Sequence, residues 1–228
     1  MRSFAQWPAP LPGGSTSEEQ ALTFNQGRGK RVLIVPALFD EANKLRRLTV
    51  EVMHRLDLSG IDSILPDLPG CNESVQPLNT QTLEGWQTAA SAAAEHFEAT
   101  HLLTIRSGAL LAPDRLPGWR YAAHGGKQLM RSMLRARTIA SREAGREETM
   151  AELEETGRAL GIELAGWQIG PEMFAALSDA QTPANETLAD IPTDAVPGAG
   201  LWLRAEPDED PEQADAIAAI IAIALSGS

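Results

Sequence analysis

A single cysteine, Cys71, is the only thiol in this chain. One cysteine excludes an internal disulfide and a thiolate-built metal cluster. Basic residues are scarce, with 19 Lys and Arg against 31 Asp and Glu and a net charge of -12. Nucleic-acid binding needs a basic surface, so that class is set aside. Long apolar runs are missing too. The longest, Ala216–Leu225, is too short to span a bilayer and has no basic flank. Met1–Ser17 lacks the apolar core of a signal peptide, which leads to the expectation of a cytoplasmic protein without a transmembrane segment. Histidine is absent after His124, the last of four.

What is present has the rhythm of an α/β domain. With 228 residues the chain can bury a sizeable core. Arg31–Pro36 is a continuous apolar run, as in a strand buried on both faces. Glu41–Leu56 has helical spacing, with Leu45, Leu48, Val52 and Leu56 on one stripe. Strands are expected at Ser63–Leu68 and His101–Ile105, with a helix over Thr82–Phe97 capped by Thr80 or Thr82. Strand, helix, strand, helix, strand predicts a doubly wound, mostly parallel sheet.

The remaining segments are assigned by the same signals. Met1–Gly29 reads as a Pro/Gly-rich lead with a short strand near Ala21–Phe24, and Arg120–His124 as a fourth strand. Gly126–Leu160 reads as two charged helices broken at Gly145 and Gly157, with Met130, Met133, Leu134 and Ile139 inward. Ile162–Ile169 is expected to be a hairpin around Gly166, and Gly170–Ala180 a short helix begun by Pro171. Gln181–Gly198 reads as a polar loop, Leu201–Ala205 as the last strand and Pro211–Leu225 as the closing helix. One domain over 1–228 is expected, with 125–180 inserted as a helical lid.

The most informative stretch is His101–Ala112, His-Leu-Leu-Thr-Ile-Arg-Ser-Gly-Ala-Leu-Leu-Ala. It has the form of a strand turning sharply, as at the nucleophile elbow of an α/β-hydrolase. That turn demands small residues two positions either side of its tip. A tip at position 106 has Thr104 and Gly108 as flanks, whereas a tip at Ser107 would have Ile105, which would clash. The favoured register puts Arg106 where a Ser, Cys or Asp would react.

The hydrolytic base is missing as well. A triad of this type runs nucleophile, acid, then histidine after the last strand. The 206–210 loop offers only Glu206, Asp208, Glu209 and Asp210 as titratable groups. An unperturbed carboxylate ionises near pH 4 and is a weak base. Ser107 reads either as a displaced nucleophile or as a helix cap. His124 opens His-Gly-Gly, which is either a backbone-donor loop or a strand-to-lid turn.

Five blocks of the chain resemble a known family, the second class of exosortase A system-associated hydrolases, α/β-hydrolase-like proteins of exopolysaccharide-making bacteria. Val35–Arg47 is similar to its Pro-Phe-x-Glu-x-Asn-Lys-x-Arg-Arg loop, and Asp67–Ser74 to its Asp-Leu-x-Gly-x-Gly-x-Ser block. Arg106–Ala112 resembles its arginine-bearing elbow, Gly126–Arg137 the start of its lid, and Glu163–Leu177 a later Ala-Gly-Tyr segment. Together the blocks span most of residues 31–180. Asn72 stands where a second Gly is usual, and the chain is shorter than the pattern at its C-terminal end.

The resemblance implies an α/β-hydrolase-like fold with a helical lid, a hydrolase lineage and partners among exosortase-system or exopolysaccharide proteins. From the residues, the chain reads as a degenerate hydrolase that takes a small anionic or acyl-bearing ligand or a partner protein, with no metal or cofactor. An active ester hydrolase and a purely structural protein are the alternatives. Candidate ligand residues are Phe39, Asp40, Glu41, Asn43, Lys44, Arg47, Arg106 and Lys127. The charged ones of 40–47 also fit a solvated helix start, and Lys127 a solvated lid face. Arg106 itself is either held by a nearby acid, with Asp40, Glu41, Glu206 and Asp208 as candidates, or open to a carboxylate or phosphate.

Overall fold

The computed structural model describes residues 2–182 and 184–227. Its main sheet has seven strands, β1 (Arg2–Pro10), β2 (Thr16–Phe24), β3 (Arg31–Val35), β4 (Asp62–Pro66), β5 (His101–Ile105), β6 (Gly118–Tyr121) and β9 (Leu188–Ile191). They lie in the order β1-β2-β4-β3-β5-β6-β9. The five strands from β4 to β9 run parallel, and β1 and β2 form an antiparallel hairpin on one edge. The three apolar runs read from the sequence are neighbours at the centre, where both faces of a strand must be apolar.

Helices cover both faces. α1 (Asp40–Leu58) and α6 (Pro211–Ser226) pack on one side, where Leu45, Leu48, Val52 and Leu56 are all buried. α2 (Leu83–His96), capped by Thr82, packs on the other. The segment between β6 and β9 joins that second side. It comprises α3 (Gly126–Glu143), α4 (Met150–Leu160), the hairpin β7 (Ile162–Leu164) and β8 (Trp167–Ile169), and α5 (Pro171–Asp179).

Four expectations are corrected. Leu201–Ala205 is not a strand. Leu201–Leu203 forms one 3₁₀ turn, and the last strand is β9, inside the stretch read as a polar loop. Its Leu-Ala-Asp-Ile buries only the two ends, which suits an edge strand and hides it from a search for apolar runs. The N-terminal lead holds two nine-residue strands rather than one short one. Pro8 and Pro10 are tolerated there because β1 is an edge, where a missing N–H breaks no ladder.

The last two concern the helices after β6. Gly157 does not break a helix but lies within α4, where a Cβ would meet the Phe174 ring at 2.5 Å. The glycine serves close packing of α4 on α5. Ile139, expected inward, is 51 % exposed, while Met130, Met133 and Leu134 are buried.

Candidate functional site

β5 ends in a sharp turn, and its tip is residue 106. Arg106 has φ 55, a left-handed conformation that is costly for a residue with a Cβ. Ser107 has no such strain. Gly108 shows why the turn needs a small residue two positions on. A Cβ there would lie 2.3 Å from the Pro36 carbonyl oxygen and 2.5 Å from that of Val35, both at the end of β3. Residues 106–111 continue as a 3₁₀ helix.

Each nitrogen of the Arg106 guanidinium makes a hydrogen bond. Nη2 and Nε donate to the two Glu41 carboxylate oxygens at 2.9 and 3.2 Å, a bidentate fork. Nη1 donates to the Ala122 carbonyl at 3.0 Å. The Trp202 ring covers one face, with Cζ 4.2 Å from its centroid. The Arg106 and Glu41 side chains are only 11 % and 14 % exposed.

His124 completes the cluster. Its Nε2 lies 3.1 Å from Glu41 Oε2 and its Nδ1 lies 3.0 Å from the Gly125 carbonyl. Both partners are acceptors, so a neutral ring, with one N–H, can donate to only one of them. Burial pushes the Glu41 carboxyl up, but hydrogen bonds from His124 and Arg106 outweigh it and hold it below its ordinary 4.5. A depressed carboxylate stabilises the fold above its unfolded value and loses that contribution as pH falls through the folded one. Part of the acid unfolding below pH 4.5 should therefore belong to Glu41. Denaturant midpoints measured down the acid limb should fall less steeply for Glu41→Gln than for the natural chain. Equal slopes would refute this.

Ser107 neither caps a helix nor faces a base. It is fully buried, and its Oγ accepts the Leu38 N–H at 3.0 Å. In an acyl-transfer site of this architecture, an N–H from the loop between β3 and α1 would stabilise the oxyanion. In that loop the Leu38 N–H is already satisfied by the Ser107 hydroxyl. His124 sits between β6 and α3, so it is a turn residue ahead of the inserted helices. No hydrogen bond joins it to Ser107 among the described residues. Cys71 offers no substitute nucleophile, since burial, Asp67 and Glu19 push its thiol up to about 12.

The candidate ligand residues do not converge. Glu41 and Arg106 meet. Phe39, strained at φ 55, is buried between Trp86 and Trp167. Asp40 pairs with Lys44 one helical turn on, and Arg47 pairs with Glu209 on the outside of α1. Lys127 lies in a separate polar cleft with Arg131 and Asp179. Of the other acids considered for Arg106, Asp208 faces Arg204 at 3.7 Å and Glu206 is exposed. Asn43 borders a cavity of about 420 Å³ at the C-terminal ends of β3 and β4. Among the described residues no His, Cys, Asp and Glu cluster could hold a metal ion, and no helix is long and apolar enough to cross a membrane.

Two partners of Arg106 escaped sequence reasoning. Trp202 lies in the stretch expected to be a strand, and its ring instead folds back over Gly200, where a Cβ would meet it at 2.3 Å. The Ala122 carbonyl is turned by a left-handed residue, φ 49, that no pattern announces.

No family model matches the sequence, and no curated protein does so. Solved structures do resemble it. The α/β hydrolase GrgF from Penicillium sp. sh18 is 16 % identical with a TM-score of 0.50, over 80 % of this chain and 74 % of that one. An esterase from Thermogutta terrifontis is 17 % identical with a TM-score of 0.42, over 59 % and 53 %. The epoxide hydrolase VrEH1 from Vigna radiata is 16 % identical with a TM-score of 0.40, over 52 % and 38 %. The chain thus spans about half the length of the esterase and less of the epoxide hydrolase. At these identities the likeness concerns architecture alone, and the architecture of this chain is the α/β-hydrolase fold.

Proposed function

We propose that this chain is a non-hydrolytic α/β-hydrolase-fold protein of the exosortase A and exopolysaccharide setting that its sequence blocks resemble, acting in the cytoplasm by binding rather than by turnover. Residues 125–180 serve as its lid. The observation that carries the reading is the closed elbow. The tip bears Arg106, whose guanidinium is held by Glu41 and Ala122 and covered by Trp202. No serine, cysteine or aspartate stands at the tip, and the neighbouring Ser107 occupies the Leu38 N–H of the loop between β3 and α1.

The same closure argues against Arg106 as an open anion receptor. A carboxylate or phosphate would have to displace Glu41 from a bidentate pair. An active ester hydrolase built on Ser107 and His124 is disfavoured by their separate partners. The test is direct. Purified protein should show no covalent labelling by a fluorophosphonate probe and no hydrolysis of p-nitrophenyl acetate or butyrate above background. Labelling that disappears in Ser107→Ala would overturn the proposal.

A further inference from the structure

The 420 Å³ cavity beside β3 and β4 adjoins a second of about 640 Å³, and the two share Asn43 and Asn72 as lining residues. Either volume lies in the range of roughly 300–1,000 Å³ typical of small-molecule sites. The first cavity opens where β3 and β4 end, between Pro36 and Asp67, the edge at which open α/β sheets take their ligands. The second runs on to the tip of the β7–β8 hairpin, bounded by Asn79, Trp167 and Gln168. Arg106 lines neither.

The uncharged polar groups of this groove are mostly of one kind. Ordinary ligand sites are mainly apolar with a few polar groups. Here five of the polar side chains along the groove are carboxamides, those of Gln20, Asn43, Asn72, Asn79 and Gln168, set among apolar residues such as Pro36, Leu65 and Leu78. Each carboxamide presents donors and an acceptor together, which matches a hydroxyl group that also does both. Asp67 lies in the first cavity, 8 % exposed, with the Asn72 amide donating to its Oδ1 and the Arg46 guanidinium 3.7 Å away. A buried carboxylate beside a guanidinium offers an acceptor and a donor side by side, the pattern that two adjacent hydroxyls satisfy.

Aromatic surface stands at each end. Phe4, 64 % exposed, borders the first cavity, and half-buried Trp167 borders the second, held edge-on by Phe39 at 5.7 Å. Flat apolar rings beside hydrogen-bonding groups suit a ligand with an apolar face and a polar rim. The backbone is strained at the same place. Asn72 has φ 50 and Ala165 φ 51, and the Asn72 strain aims its amide at Asp67. An acyl chain would use none of the hydrogen-bonding groups these amides offer. An anion would meet a single partnered arginine, Asp67 and Glu73 in a chain of net charge -12.

We infer that this groove is a binding site for a neutral oligosaccharide, with Asn43, Asn72 and Asp67 bonding its hydroxyls and Trp167 and Phe4 flanking its rings. The inference names the ligand of the binding role proposed above and rests on it. Isothermal titration calorimetry of the full chain with cellohexaose, maltohexaose and laminarihexaose should give saturable binding to at least one. Asn43→Ala, an exposed position, should weaken it about three- to tenfold through lost hydrogen bonds. Trp167→Ala should weaken it about tenfold or more. Arg131→Ala in the separate cleft should leave it unchanged.

No saturable binding to any of the three would overturn the inference. So would binding indifferent to both groove variants, or binding only to trigalacturonate or decanoate run alongside. Ester turnover by a chain that still binds a neutral hexasaccharide through these residues would defeat the non-hydrolytic reading and leave the groove standing.

Discussion

Glu41→Ala should destabilise the protein by about 3–5 kcal/mol, the range seen when one partner of a buried ion pair is removed. Glu41 accepts two bonds from Arg106 and faces His124, and both charged side chains of the pair are largely withdrawn from water. Without the carboxylate, Arg106 keeps only the Ala122 carbonyl and the Trp202 face. These partners do not neutralise a buried cation. Replacing both members by apolar residues, Arg106→Met with Glu41→Leu, removes the charge together with its counterion and should cost much less than Glu41→Ala alone. Urea unfolding of the natural chain, the single variants and the double variant gives the coupling. A Glu41→Ala cost below about 1 kcal/mol, or strict additivity, would refute the claim that this pair holds the elbow closed.

The elbow was legible in the sequence because its constraint is steric and local. Thr104 and Gly108 flank the tip, and the Gly108 approach to β3 explains why nothing larger fits. The central strands were legible for a similar reason, since Arg31–Val35, Asp62–Pro66 and His101–Ile105 are buried on both faces and carry no alternation. The partner of Arg106 could be narrowed to four acids by charge but not chosen. Asp40 and Glu41 are adjacent, and which of them turns inward depends on the entry angle of α1, set by the strained Phe39.

Other parts depend on contacts between segments distant in sequence. Trp202 covers a side chain 96 positions earlier, and a polar loop must fold back before that contact exists. The groove combines β2, α1, the loop after β4 and the β7–β8 hairpin. Only Asn43 of its lining stood out beforehand as a candidate ligand residue. Asn72 looked like a departure from a glycine. Its left-handed backbone shows why those two residue types share the position, since Asn tolerates positive φ better than other side chains do.

Gly108→Ala should be among the most damaging single-methyl changes in the molecule. The added Cβ would lie 2.3 and 2.5 Å from two consecutive carbonyl oxygens of the backbone at the end of β3. Distances below 3 Å to backbone atoms cannot be relieved by rotating a side chain. Either β3 or the turn after β5 must shift, at a cost of about 1–3 kcal/mol or more. The shift should not stay local. Pro36 precedes the loop whose Leu38 N–H is held by Ser107, and Pro36 and Ala37 also line the groove. The variant should therefore lose both stability and affinity for any groove ligand. Gly29→Ala is the matched control, because its Cβ would meet nothing within 4 Å and its φ is not positive. That change should stay within about 0.5 kcal/mol of the natural chain. Chemical unfolding of the two variants side by side decides the matter. If Gly108→Ala matched Gly29→Ala, the close approach of the elbow to β3 would be wrong, and the steric argument that puts Arg106 at the tip would fall with it.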